Sequence, residues 1–238
     1  GREQNPPPGA RPLERKDRQR RPPGPALRQP PRQPWSGEGE SRAGERRVSR
    51  RESRAQRHPK IREIARAAAN AWDPAADEAA GNQCKAYGAA AVMRQPGRIR
   101  VSWQDDNTLK VETEAGTQTR LFNFGAAPAA GERSWQGVST AQWETAVRAA
   151  GQPPAGNMKV VTTNLKPGYV RKNGVPYSAD AMLTEYYDVH TADNNDVWMV
   201  VTTQVHDPAN FTTDFITSSH FKKLGAGAPW KPEACSAR

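Results

Sequence analysis

The chain has 238 residues, 35 Lys or Arg against 25 Asp or Glu, a formal net charge of +10 and a mean hydropathy of −0.89. No run approaches the roughly 18 apolar residues of a spanning helix, and the two cysteines, with no third or fourth ligand nearby, carry no zinc signature. The charge is uneven: residues 1–70 hold 19 Lys or Arg against 8 Asp or Glu and 11 of the 21 prolines, so the remainder is close to neutral.

Residues 1–57 are rich in Arg, Pro, Gln and Gly, with Trp35 as the only aromatic side chain. Ordering such a stretch costs about 1 to 2 kcal/mol per residue, and it has too little apolar surface to offset that, so it is predicted to be a disordered basic tail. An arginine-rich arm suits nucleic acid or an anionic surface. Without interleaved aromatics for base stacking or a folded binding module beside it, a solvated linker or leader remnant is the preferred reading, with nucleic acid as the lesser one.

Residues 58–73 carry one helix signal. Ile61, Ile64, Ala65, Ala68 and Trp72 fall on one stripe, Pro59 suits the first turn, and Asp73-Pro74 ends it. The stripe is expected to pack on the β body; a membrane-surface helix is the alternative.

From residue 97 the chain reads as β. Segments 98–104, 108–114 and 117–124 alternate apolar and polar residues around the turns Asp105-Asp106-Asn107 and Ala115-Gly116. Segment 134–144 is a further strand, with a helix over 140–150 as its rival. Segments 158–165, 181–189, 197–206 and 213–223 complete about eight strands, separated by Lys-Pro-Gly, Lys-Asn-Gly, Asp-Asn-Asn-Asp and Asp-Pro. Such an antiparallel meander is expected to close into a barrel-like or strongly curved, lipocalin-like sheet over residues 84–235, which removes edges and leaves room for packed side chains or one small ligand.

Cys84 and Cys235 stand near the two ends of this β body. Paired, they would close a loop of about 150 residues, worth on the order of 5 kcal/mol in the chain-entropy model; two unpaired buried thiols are the alternative. A disulfide implies an oxidising compartment, and Gly1 in place of Met is what a removed leader or a trimmed chain would leave. Both point to a periplasmic or secreted protein.

Several segments stand in order along the chain: Ser134-Trp135-Gln136-Gly137-Val138-Ser139 with Trp143-Glu144; Met158 to Asn164; Tyr177-Ser178 with Leu183-Thr184-Glu185-Tyr186-Tyr187; Val201 to Pro208; and Cys235. Together they resemble a widespread group of uncharacterised bacterial exported (periplasmic) β-rich proteins of unknown function, over residues 84–235. The resemblance implies export and a β-rich domain, and no activity. The chain departs from that pattern in an insertion after Glu144 and in its tail.

Sites for chemistry are few. His58, His190, His206 and His220 form no His-x-His or His-Glu-x-x-His motif, so no metal site is assigned. Asp193 to Asp196 has the oxygen density for calcium but reads as a hairpin turn. Glu185 shares one strand face with Ala181, Leu183 and Tyr187. If that face is inward, burial would raise its pKa and suit it to proton transfer; if Met182, Thr184 and Tyr186 face inward instead, it points to water. Arg120 has the same ambiguity, and with His220 these form a candidate acid/base set or a structural ion-pair network. No nucleophile elbow, phosphate loop or dinucleotide fingerprint is present. Trp135, Trp143, Tyr186 and Thr202 are candidate ligand-binding positions, although aromatic residues on strands commonly form core and cross-strand pairs.

The preferred expectation is therefore an envelope protein, needing no cofactor, that holds a small amphipathic molecule or a protein partner in a β-barrel. The alternatives are a small-molecule hydrolase, lyase or isomerase using Glu185, Arg120 and His220, and a nucleic-acid or anionic-surface binder acting through the tail.

Overall fold

The computed structural model describes residues 61–126, 128–146, 155–225 and 227–238. The basic stretch 1–57 and His58 lie outside the described residues, as do the expectations placed on them.

The body is an eight-stranded curled sheet, a half-barrel. Its strands are β1 (Ile99–Trp103), β2 (Thr108–Thr113), β3 (Gln118–Phe124), β4 (Val138–Ala146), β5 (Ala155–Thr163), β8 (Met182–Thr191), β9 (Val197–His206) and β10 (Phe215–Lys222), side by side in that order. A small hairpin of β6 (Gly168–Tyr169) and β7 (Pro176–Tyr177) stands apart from the sheet between β5 and β8. The strongly curved sheet is as expected, and two finer expectations, a closed barrel and an unbroken antiparallel meander, are corrected. Among the described residues β1 and β10 are the two ends of the sheet order, so the barrel is not closed by strand pairing. The meander is also interrupted, because β3 pairs with β4 in parallel. A 13-residue connection runs between Phe124 and Val138, long enough to carry the chain back so that the next strand starts at the same end.

Local chemistry explains the joints. Asp105 accepts a hydrogen bond from the Asn107 backbone N–H at 2.9 Å, closing the β1–β2 turn as an Asx turn. Asn195, at φ 65°, turns β8 into β9, and the Asn194 side chain accepts from the Asp196 N–H. Gly116, at φ 69°, turns β2 into β3 where the Tyr87 ring leaves no room for a Cβ: one built there would lie 2.5 Å from it.

Helical segments fill and cap the concave face. They are α1 (Glu63–Asn70), α2 (Pro74–Ala79), a 3₁₀ turn (Gln83–Tyr87) and α3 (Ala89–Val92). An eight-residue helix is marginal alone, so contacts must hold α1. Those contacts use Ala65, which is buried, with Ile61 and Ala69 packed on the core. The expected stripe is thus rotated, since Ile64 is 71 % exposed and Ala68 is exposed. Ala89 to Met93 is wholly buried. Val92 and Met93 enter a cluster with Leu109, Val111, Phe122, Val160 and Val201, while Ala89 and Ala90 join Leu165, Leu183, Val205, Phe211 and Phe215.

Cys84 and Cys235 form a disulfide with 5.1 Å between their Cα atoms. It ties the 3₁₀ turn to the C-terminal segment, which also donates from the Lys231 and Glu233 N–H groups to the Glu114 carboxylate and carbonyl. No helix among the described residues is long and apolar enough to cross a membrane.

Candidate functional site

Strand register settles which faces meet. Val160 on β5, Glu185 on β8 and Thr203 on β9 stand opposite one another, while Val111 on β2 stands opposite Arg120 on β3. These side chains are all buried against the concave face. Leu183, Glu185 and Tyr187 are therefore the inward set of β8, and Met182, Thr184 and Tyr186 the outward one.

The polar core of this face is an ion pair. Arg120 donates from Nη1 to Glu185 Oε1 at 2.9 Å and from Nη2 to Oε2 at 2.6 Å, a two-pronged contact between side chains with no exposed surface. Nη2 also donates to Thr162 Oγ1 at 3.2 Å, and Thr162 shares a hydrogen bond with Ser139 at 2.8 Å. Tyr187 donates to Glu185 Oε1 at 3.4 Å, and the Phe122 ring lies 4.8 Å from the guanidinium carbon. Burial works against the Arg120 charge, but the Glu185 carboxylate holds the guanidinium above its ordinary value. Burial, with the negative Glu185 beside it, pushes the Tyr187 hydroxyl well above its usual range. This arrangement can fix charges in place; it offers no open approach to a substrate.

His220 does not join the pair. On β10 it pairs with Val200 and is exposed, while Phe215, Thr217, Ser219 and Phe221 take the concave face. Adjacent strand residues point to opposite sides, so the expected Arg120, Glu185 and His220 set is divided by the sheet. The four expected ligand-binding positions do not converge either. Tyr186 and Thr202 pair with each other on the convex side, where Lys159 stands over Tyr186 and Ser218 shares a hydrogen bond with Thr202. Trp143 lies on the concave face but at its open end, 61 % exposed and stacked on Phe124, which in turn contacts Trp103. Trp135 sits in the loop before β4, with Lys166 over its ring. Among the described residues no cluster of three or more His, Cys, Asp or Glu could hold a metal ion.

Besides Glu114, two buried acids escaped sequence reasoning. Asp77 accepts from Trp72 Nε1, Lys85 Nζ and the Tyr169 hydroxyl, each at 2.8 Å, and so pins α2 to the hairpin. Burial alone would raise the Asp77 pKa; these donors outweigh it and lower the carboxyl below its ordinary value. Asp207 accepts from the Ser178 N–H at 2.7 Å and the Ser178 hydroxyl at 2.9 Å, joining the end of β9 to the segment that follows β7. The only sequence signal was the Asp-Pro at 207–208, which read as a turn.

An open feature among the described residues lies elsewhere. Between α1, the hairpin and the first residue of β10 is a cleft of ≈ 510 Å³. Ile61, Ala69, Val170, Val175 and Phe215 line it, and the last three are almost inaccessible, so they form its floor. Arg66, Asn70, Arg171 and Asn173 line it too and are exposed, so they form its mouth. Apolar depth under a polar opening is the usual build of a small-molecule site, and the volume falls within the roughly 300 to 1,000 Å³ of such sites.

Comparison with protein-family models, with curated proteins and with solved structures finds no match for this chain.

Proposed function

We propose that this chain is a binding module for a small amphipathic molecule, seated in the cleft between α1, the β6–β7 hairpin and Phe215. The observation that carries the reading is the cleft itself: an apolar floor of Val170, Val175 and Phe215 beneath a charged and amide-bearing mouth. The concave interior of the half-barrel is a weaker candidate, because Ala89 to Met93 and the Arg120–Glu185 network are packed into it. Residence in an oxidising compartment, as a periplasmic or secreted protein, belongs to the same reading and draws support from the Cys84–Cys235 bond.

Filling the cleft tests it. Asn70→Trp at the exposed mouth and Ala69→Phe at the wall are expected to abolish binding of a fluorescent apolar probe while leaving the circular dichroism spectrum unchanged. Undiminished probe binding by both variants would place the ligand elsewhere and contradict the reading.

A further inference from the structure

Two guanidinium groups share one aromatic ring beside the cleft. The Arg94 and Arg171 guanidinium carbons lie 5.0 Å and 5.5 Å from the centre of the Phe215 ring. Arg171 and Arg66 line the cleft; Arg94 does not line it, but lies on the same ring that forms its floor. Among the described residues none of these three arginines has a carboxylate within ion-pair distance, whereas Arg98, Arg120 and Arg133 each have one.

That absence has a physical cost. Arg94 is half-buried, and its Nε is buried with no hydrogen-bond partner among the described residues. Its burial, together with the charge of Arg171, pushes its pKa down to about 10. A buried donor without a partner and two like charges near one ring both disfavour the folded chain. The stacking contacts return part of that cost, but they offer no acceptor for the guanidinium N–H groups. Such groups are satisfied when a ligand brings the missing oxygens, and the planar fork of Arg suits carboxylate and phosphate oxygens in particular.

On the reading that the cleft binds an amphipath, we infer that its ligand is anionic: an oxyanion head, carboxylate or phosphate, held by Arg171 and Arg66 with the Arg94 charge beside them on the shared Phe215 ring, and an apolar body on Val170, Val175 and Phe215. The two parts of the site then match the two parts of the molecule. A neutral amphipath would leave the Arg66, Arg94 and Arg171 charges uncompensated, and a cationic one would add a fourth like charge.

The test is calorimetric titration of the full-length oxidised chain at pH 7 and constant ionic strength with octanoate, octyl phosphate, 1-octanol and octylammonium. At least one anion is expected to bind about tenfold or more tighter than 1-octanol, the scale of one charge-assisted hydrogen bond. Octanoate and octyl phosphate together sort carboxylate from phosphate heads. Arg171→Gln, at an exposed position with little effect on folding, is expected to bring the anions down to the level of 1-octanol and leave 1-octanol unchanged. Arg94→Met should do the same, while Arg94→Lys retains part of the preference. Equal binding of 1-octanol and the anions, or tighter binding of octylammonium, overturns the anionic assignment and leaves the amphipath reading standing. An anion preference that survives both Arg171→Gln and Arg94→Met moves the head away from these residues and overturns it as well. No binding of any of the four compounds removes the amphipath reading, and this inference with it.

Discussion

At the scale of single residues, Arg120 and Glu185 are held by mutual need. Each would be an uncompensated charge in the core without the other, and removing one partner of such a pair costs about 3 to 5 kcal/mol. Glu185→Gln is therefore expected to lower the urea midpoint strongly or prevent folding. The double change Arg120→Met with Glu185→Leu, which removes both charges, should recover most of that loss. A double variant as unstable as the single one would show that the two positions are not coupled. Asp77 makes a prediction in pH. Its folded pKa is lowered, so its contribution is present above about pH 4, the ordinary aspartate value, and is lost as pH falls through the lower folded value. In thermal melts from pH 7 down to about pH 2, Asp77→Asn should be less stable at neutral pH and lose less on acidification than the unchanged chain. Parallel curves for the two would contradict this. The face of β8 could not be read from its residues, because both alternations mix apolar and polar side chains. What decides it is Arg120, a partner 65 positions away in the chain.

At the scale of elements, the strands were legible because alternation and turn chemistry agree. The strands expected over 108–114, 181–189 and 197–206 match β2, β8 and β9 to within a few residues, and β4 replaces the rival helix over 140–150 through Ala146. The short helices from Pro74 to Val92 were not legible: pieces of four to six residues, mostly Ala, show no 3.6-residue period. The β6–β7 hairpin has two-residue strands and gives no alternation to read. Half the cleft is built from that hairpin, so the site itself was hidden, and the aromatic residues drew attention to positions the register scatters. Two elements meet at Gly137, which has φ 61° and whose built Cβ would lie 2.3 Å from the Thr163 carbonyl oxygen. Gly137→Ala is expected to destabilise the entry to β4 by more than the roughly 1 kcal/mol of an ordinary backbone penalty, read as a lower denaturant midpoint. An unchanged midpoint would mean that β4 and β5 yield there at no cost.

At the scale of the whole molecule, the fold is an open half-barrel with helical segments packed on its concave face and one disulfide binding the 3₁₀ turn to the C-terminal segment. Cys84→Ser with Cys235→Ser frees a loop of 151 residues and should cost on the order of 5 kcal/mol by the chain-entropy estimate. A much smaller loss in denaturant unfolding would mean that the strap formed by the C-terminal segment and Glu114 already restrains the unfolded chain or the folded one. The cleft lies where α1 and the hairpin meet Phe215 at the start of β10, on a core cluster separate from that of Val111, Val160 and Val201, and the methyl groups of the two regions can be observed separately. The decisive measurement is a methyl-resolved NMR titration of the full-length oxidised protein with octanoate. Shifts confined to Ile61, Ala69, Val170 and Val175, with Val111, Val160 and Val201 unmoved, are the predicted result. Shifts centred on the interior valines, or on Val189 and Met199 at the open end of the concave face, would contradict the assignment of the cleft as the binding site.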